Sequence, residues 1–286
     1  MLVSLLLLQT AAASATVGLT APFKSPRLTE SSGVAVSRAH PGIVWTHNDS
    51  GDGPYLYATD LHGSDRGAIR VSGADAVDWE DLALGPCPIG RGECLYIADT
   101  GDNLERRTSV TIYAVAEPDP PLLAADTQHV TAAALRLRLR YPDGSHDVEA
   151  LYVSSRDTAV YLVSKGRSGA VRVYRVDRAA WQSGRVATAE LVQAVPITPD
   201  RSQGRLVTGA AIRADGALVA IRTYVDVSFF GLGDRGRLMP APRPVCSVAG
   251  LERLGEAIAF RDDSTLVLTG EADRISRGAI HTLWCP

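Results

Sequence analysis

Short apolar runs separated by polar turns recur along the whole chain, while the periodicity of amphipathic helices is rare. The runs are rich in Val, Ile, Leu and Tyr, and Gly, Asp and Pro separate them. This pattern is typical of short antiparallel strands, each with one face against a neighbouring layer. The sequence therefore predicts an all-β fold.

A unit of about fifty residues repeats about five times, a period typical of propeller blades. Each unit opens with a polar residue, usually Glu, before an apolar run; a turn, a second run and outer strands follow. The first runs are 30–36, 79–84, 148–153, 207–212 and 255–260, and the second runs are 43–46, 95–98, 160–163, 218–221 and 266–269. Four-stranded units of this kind predict a single-domain β-propeller of five blades, with six blades as the alternative.

The ring needs one strand more than the last unit supplies. That unit ends one strand short after residues 279–284, and residues 17–28 can provide the missing strand and close the ring. No linker interrupts the chain. We therefore expect one propeller domain over residues 16–286.

The N-terminus has the pattern of a secretory signal peptide. Residues 2–8 are mostly leucine, and Ala13-Ser14-Ala15 has the small-residue form of a cleavage site. The alternative is an apolar N-terminal strand. No apolar run reaches the roughly 18 residues of a membrane span. We expect residues 1–15 to be a signal peptide and the protein to be secreted or periplasmic.

The four cysteines fit two disulfide bonds. Cys87 and Cys94 flank a turn-rich connector, and Cys246 and Cys285 would join the C-terminus to an earlier segment. The alternative is four free thiols in a cytosolic protein, which the even count and the signal-like start disfavour. No pair has zinc-site spacing.

The overall charge excludes one class of partner. The net charge is -3 and the isoelectric point is about 6.1, so the chain offers no basic surface for nucleic acid. We expect a monomer with a small-molecule or polymeric ligand.

An acidic turn sequence occurs twice, as "HNDSGD" at 47–52 and "ADTGDN" at 98–103. Each turn directly follows the second apolar run of its unit. In an antiparallel hairpin, the end of the second strand and the start of the first strand lie at the same edge of the sheet. We therefore align the two turns, align Glu30 with Glu80, and place all of them at one mouth of the channel. The candidate ligand-binding residues are Glu30, His47, Glu80, Glu149, Lys165, Arg222, Tyr224, Glu256 and Glu271. The candidate metal ligands are Asp49, Asp52, Asp99 and Asp102.

Carboxylates crowded at one opening repel each other unless protons, basic side chains or a cation neutralise them. Oxygen ligands suit a hard ion such as Ca²⁺, which is the expected cofactor. A structural role is the alternative, because Asp-Ser-Gly-Asp is also a good turn sequence.

Several segments, in this order, carry a resemblance to a known family: "ESSGVAV", "WTHNDSGD", "DWEDLALGP", "LYIADTGDN", "YPDGSHDVEALYV", "VTGAAI", "ALVAIRTY" and "GEAIAF". Together they resemble exported bacterial β-propeller proteins that have no established reaction and are distantly similar to the "esterase-like activity of phytase" propellers. The resemblance implies a propeller with a polar central funnel. From the phytase propellers, whose channel-mouth Ca²⁺ ions bind substrate phosphate, only the general acidic-mouth pattern transfers.

Three functions are compatible with these patterns. The favoured one is a ligand-binding module with an acidic, Ca²⁺-binding mouth. The first alternative is a metal-assisted hydrolase of a phosphate ester, lactone or other ester. The second is a charge ring that only stabilises the blades.

Overall fold

Five small sheets contain nearly all the regular structure. The computed structural model describes residues 13–120 and 129–286. Two short 3-10 helices, Arg178–Gln182 and Asp234–Gly236, interrupt the strands. No helix in these two ranges is long and apolar enough to cross a membrane.

The strands follow one another in chain order, and each group of strands builds mainly one blade. Two strands precede the first blade: β1 (Ala13–Ser14) and β2 (Thr16–Pro22). Blade 1 contains β3 (Ser31–Val36), β4 (Val44–Asn48), β5 (Tyr55–Thr59) and β6 (Ala68–Arg70). Blade 2 contains β7 (Trp79–Pro86), β8 (Glu93–Asp99), β9 (Val110–Ala116) and β10 (Leu135–Arg140).

The remaining three blades are built in the same way. Blade 3 contains β11 (Val148–Val153), β12 (Val160–Ser164) and β13 (Arg172–Val176), then β14 (Ala187–Thr188), which pairs with β10 of blade 2, and β15 (Glu190–Ala194). Blade 4 contains β16 (Val207–Ile212), β17 (Leu218–Thr223), β18 (Asp226–Leu232), β19 (Leu238–Pro240) and β20 (Cys246–Ser247). Blade 5 contains β21 (Gly255–Phe260), β22 (Thr265–Gly270) and β23 (Ala279–Trp284).

The first strand of each blade lies innermost. Strands β3, β7, β11, β16 and β21 contact one another in a closed cycle and so surround the channel. Apolar side chains fill the spaces between neighbouring sheets in five separate clusters. The prediction of a five-bladed all-β propeller is confirmed, and the six-bladed alternative is wrong.

The N-terminal strand closes the ring. Strand β2 pairs antiparallel with β23, from Thr16 opposite Trp284 to Pro22 opposite Ala279, and completes blade 5 as predicted. Strand β1 pairs in parallel with β20 at the edge of blade 4. Residues 1–12 lie outside the described residues, so the signal peptide over residues 1–15 stays a prediction.

Every innermost strand carries a bulge after its first residue. The pairing register with the second strand shifts there in all five blades. A bulge inserts one unpaired residue and redirects its side chain. The bulged positions are Ser32, Glu80, Glu149, Thr208 and Glu256. Three of the predicted glutamates therefore occupy equivalent positions.

Both predicted disulfides are present. Cys87–Cys94 joins the ends of β7 and β8, with Cα atoms 4.9 Å apart. Cys246–Cys285 joins β20 of blade 4 to the residue after β23 of blade 5, with Cα atoms 5.7 Å apart. The second bond therefore links blade 4 to blade 5, next to the strand pair that closes the ring.

We expect the double substitution Cys246→Ser, Cys285→Ser to lower the free energy of unfolding by about 2 to 4 kcal/mol, since the bond restricts a long loop in the unfolded chain. Urea unfolding of the oxidised protein measures the loss. The matched control is Cys87→Ser, Cys94→Ser, which opens a bond spanning only 7 positions instead of 39. Equal losses in the two variants would contradict the loop-entropy explanation.

Candidate functional site

Three sets of equivalent residues surround one end of the channel. The first set is the bulged positions. The second set consists of the residue directly before each innermost strand, and the third set of the residue directly after each second strand. In three blades the amide of the third-set residue donates a hydrogen bond of 2.9 Å to the carbonyl of the second-set residue: Asp49 to Glu30, Lys165 to Asp147 and Glu271 to Leu254. The second set is Glu30, Asp78, Asp147, Leu206 and Leu254, and the third is Asp49, Thr100, Lys165, Tyr224 and Glu271. We call these three sets the acidic mouth, which holds eight carboxylates and one lysine.

Five of these carboxylates form two groups that share Glu80. In the Asp49 group, one oxygen each of Asp49, Asp78 and Glu80 lies within 4.8 Å of the others. In the Glu149 group, the same holds for Glu80, Asp147 and Glu149. An ion bound by either group would therefore have Glu80 as one of its ligands.

Basic side chains neutralise only one group. Lys165 Nζ lies 2.6 Å from Glu149 Oε2, and the Arg167 guanidinium binds the Asp147 carboxylate. Tyr224 lies beside this pair, with its ring centroid 5.9 Å from Lys165 Nζ. Over residues 13–120 and 129–286, no Lys, Arg or His forms an ion pair with the carboxylates of the Asp49 group. Of the two groups, the Asp49 group is therefore the one without a basic ion-pair partner among the described residues.

Burial and mutual repulsion hold protons on several of these groups. Burial, followed by the charge of Asp49, raises the pKa of Asp78 to about 6. Burial, with Asp49 and Glu30, raises the pKa of Glu271 to about 7. Burial raises the pKa of Glu149 to about 8, although Lys165 opposes the shift. At neutral pH, protons and a cation therefore compete for the carboxylates of the acidic mouth.

Two carboxylate oxygens in the mouth are buried without a partner. Glu149 Oε1 and Glu256 Oε2 have no hydrogen-bond partner among the described residues. Burial, then the charge of Glu149, raises the pKa of Glu256 well above its usual range. A buried oxygen left without a donor or cation destabilises the fold. Both oxygens are therefore free to accept a hydrogen bond from a ligand or to bind a cation.

The backbone at Gly101 approaches the carboxylates closely. A Cβ atom there would lie 2.0 Å from Glu80 Oε1 and 2.5 Å from Asp78 Oδ2. Any side chain at this position would occupy the space beside these oxygens. The glycine of the "ADTGDN" turn thus keeps the Asp49 group open.

The two acidic turns correspond with an offset of one residue. Strand pairing places Asp99 opposite the first residue of β7, where Asn48 stands opposite the first residue of β3. Each accepts hydrogen bonds from the amides of the two residues before its innermost strand. Asp49 therefore corresponds to Thr100, and Glu30 corresponds to Asp78 instead of Glu80. The alignment read from the sequence was wrong.

The other three candidate metal ligands bind the protein itself. Asp99 forms an ion pair of 2.9 Å with Arg107. Asp102 accepts a hydrogen bond of 2.6 Å from the Arg107 amide. Asp52 accepts one of 2.6 Å from the Tyr57 hydroxyl. Of the four carboxylates that we expected to bind metal, the structure brings only Asp49 into a carboxylate group.

His47 and Arg222 lie beneath the mouth and join neighbouring blades. The His47 ring is fully buried, packs edge-on to Trp79 and donates from Nδ1 to its neighbour's carbonyl; burial lowers its pKa to about 4. Arg222 of blade 4 donates to the Ala257 and Thr269 carbonyls of blade 5 at 2.7 and 3.0 Å and pairs with Glu252. We expected both at the opening; instead, both lie inside the fold, where His47 Nε2 and Arg222 Nε have no hydrogen-bond partner among the described residues.

Sequence reasoning missed Asp78 and Asp147. Both precede a mouth glutamate by two positions, in Asp78-Trp79-Glu80 and Asp147-Val148-Glu149. This repeated Asp-x-Glu pattern was the available signal. It marks blades 2 and 3, which supply four of the five carboxylates in the two groups; Asp49 of blade 1 is the fifth.

The raised pKa values predict a pH-dependent stability in the presence of a chelator. A carboxyl group with a raised folded-state pKa stabilises the fold fully below its unfolded pKa, and this contribution is lost as the pH rises through the folded value. Asp78 and Glu271, with ordinary pKa values of 3.8 and 4.5 and folded-state values of about 6 and about 7, place the loss between about pH 4 and 7. Urea midpoints measured with EDTA should fall across this range, and saturating Ca²⁺ should flatten the decline. A pH-independent midpoint with EDTA would contradict the assignment.

Comparisons with known proteins give structural similarity only. No protein-family model matches the sequence, and no curated protein matches it. A crystal structure of a nidogen/laminin complex matches 85% of this chain and 72% of that chain, at 13% identity and a TM-score of 0.48. The hydrazine synthase of Kuenenia stuttgartiensis matches 87% of this chain and 57% of that chain, at 12% identity and a TM-score of 0.41. The fold assignment rests on the strand pairing, and no ligand or activity transfers from either protein.

Proposed function

We propose that this chain is an exported ligand-binding propeller whose acidic mouth binds a hard divalent cation, Ca²⁺, at the Asp49 group. The observation that carries the proposal is the approach of three carboxylates from two blades to within 4.8 Å without a basic partner. Hard cations of this type prefer carboxylate oxygens. The two disulfides are compatible with an extracellular or periplasmic location.

The ion would have capacity for a ligand. Ca²⁺ takes six to eight oxygen ligands, and three carboxylates that are partly monodentate leave positions free. In the neighbouring blade 3, Lys165, which is bound to Glu149, contributes the one positive side chain of the three sets. A small or polymeric ligand that carries an anionic oxygen would therefore contact the ion at one end and Lys165 at the other.

Isothermal titration of chelator-stripped protein with Ca²⁺ and with Mg²⁺ tests this proposal. We expect Ca²⁺ to bind with a dissociation constant on the order of 10⁻⁴ M, the range of extracellular sites. Gly101→Ala, which places a methyl group between the Glu80 and Asp78 oxygens, should weaken binding at least about tenfold. Absence of Ca²⁺ binding by the wild-type protein would refute the cation site.

Hydrolysis is a second candidate, and one observation favours it. Asp78 and Glu271 have pKa values of about 6 and about 7 and line the same opening. Groups that titrate near neutral pH can transfer protons, and a bound ion would supply polarisation of an ester or phosphate oxygen. A panel of phosphate-ester, lactone and carboxylic-ester substrates, with and without Ca²⁺, separates this activity from binding alone. Turnover that requires Ca²⁺ and is lost in Glu271→Gln, a variant outside the Asp49 group that should still bind Ca²⁺, would establish it.

The purely structural alternative makes the opposite prediction for stability. If the carboxylates only hold the blades together, replacing Glu149 by glutamine should destabilise the protein, and neither Ca²⁺ nor any ligand should bind. A stable Glu149→Gln variant together with Ca²⁺ binding by the wild-type protein would exclude this role.

A further inference from the structure

The carboxylate of Asp81 reaches across the channel. Its Oδ1 accepts a hydrogen bond from its neighbour Leu82 at 2.8 Å. Its Oδ2 accepts bonds from Leu151 of blade 3 at 2.8 Å and from Ala210 of blade 4 at 3.2 Å. The side chain is fully buried. Asp81 thus connects three blades at a level directly below the acidic mouth.

The three donors are equivalent residues. Leu82, Leu151 and Ala210 are each the fourth residue of an innermost strand, after the same bulge, so their peptide groups face the channel and not the second strand. Val34 and Ile258 hold this position in blades 1 and 5, with the same pairing. The N–H and C=O groups of these two residues therefore also face the channel, on the side that Asp81 does not reach.

A cavity of about 120 Å³ opens from this level to the opposite end of the propeller. Val34, Leu82, Ala210 and Ile258 lie at its base, and mostly apolar residues such as Val36 line its walls. A cavity of about 150 Å³ accommodates a benzene-sized molecule. This one has room for a branched aliphatic group of four or five carbon atoms.

We infer that this opposite mouth is a second binding site, which takes a small neutral molecule with a branched aliphatic body and a carboxamide end. The body fills the apolar cavity, where burial of apolar surface drives binding. The carboxamide accepts from and donates to the channel-facing peptide groups of Val34 and Ile258. A carboxylate of the same shape binds more weakly, because its charge loses hydration in the buried channel and faces the C=O groups of Val34 and Ile258.

The test uses 3-methylbutanamide as the probe and the methyl resonances of the wild-type protein as the readout. We expect saturable shifts in the millimolar range at Val34, Leu82 and Ile258. Acetamide, which lacks the apolar body, and 3-methylbutanoate, which carries the charge, should each bind at least tenfold more weakly. Shifts that do not saturate, that lie elsewhere, or that are equal for the amide and the carboxylate would overturn the inference.

A pair of tryptophan variants confirms the location. Ala214→Trp adds a large side chain at an exposed position on the cavity rim and should weaken probe binding at least fivefold. Ile275→Trp makes a comparable change at a residue that is 82% exposed and does not line the cavity, so it should leave binding unchanged. Equal binding by both variants would place the probe outside the cavity and overturn the inference.

Discussion

Replacing Asp81 with alanine is expected to lower the free energy of unfolding by about 3 to 6 kcal/mol, because each buried amide left without a partner costs about 1 to 3 kcal/mol. The carboxylate accepts from three amides in three blades. Its loss removes a connection across the channel that no backbone pairing replaces. Urea unfolding at constant pH, followed by circular dichroism, measures the change.

Two further variants distinguish the loss of these hydrogen bonds from the loss of side-chain volume. Asp81→Asn keeps the size but replaces one accepting oxygen by an NH₂ group that faces an amide donor, so it should lose nearly as much stability as alanine. Asp215→Asn, in an exposed turn where the carboxylate binds Arg213, should change the stability by less than about 1 kcal/mol. A loss below about 1 kcal/mol in Asp81→Ala would show that the three bonds do not hold the blades.

Replacing Glu80 with glutamine should abolish most of the cation binding without harming the fold. Glu80 belongs to both carboxylate groups, so its substitution should weaken Ca²⁺ binding about 100-fold, equivalent to about 2.8 kcal/mol. Burial, then the charges of Glu149 and Asp49, holds its pKa well above the usual range. A neutral side chain of the same shape should therefore leave the stability of the chelator-treated protein unchanged or raised.

The matched control is Glu256→Gln. Glu256 occupies the equivalent bulge in blade 5 and is similarly buried, but it belongs to neither group. Its substitution should reduce Ca²⁺ affinity by less than about fivefold, through the loss of one more distant charge. Equal losses in the two variants would mean that the mouth attracts cations only as a diffuse charge.

The amino-acid pattern was sufficient for the architecture. Five repeats of apolar runs predicted five blades, and the missing strand of the last unit pointed to residues 17–28. Strand β2 (Thr16–Pro22), which overlaps this segment, pairs with β23. Local spacing also identified the Cys87–Cys94 bond, and the two remaining cysteines gave Cys246–Cys285. These features depend on periodicity and chain connectivity, which a single sequence displays directly.

The site was predicted less well because equal spelling does not mean equal position. All five innermost strands carry the same bulge, but the Asp-Ser-Gly-Asp and Asp-Thr-Gly-Asp sequences of the two acidic turns start one residue apart relative to the ends of β4 and β8. Asp99 therefore occupies the position equivalent to Asn48 and accepts hydrogen bonds from backbone amides, although the sequence aligned it with Asp49. Periodicity also cannot show which side of β17 a side chain occupies, so Arg222, which connects two blades, was assigned to the opening.

The central claim is that Asp49, Asp78 and Glu80 hold a cation. The most direct measurement is anomalous X-ray scattering from crystals of chelator-stripped protein soaked with Tb³⁺, a heavy substitute for Ca²⁺. We expect a strong peak with oxygens of these three carboxylates about 2.3 to 2.6 Å away, as for Ca²⁺. Peaks confined to other surfaces, with none at the Asp49 group, would contradict it.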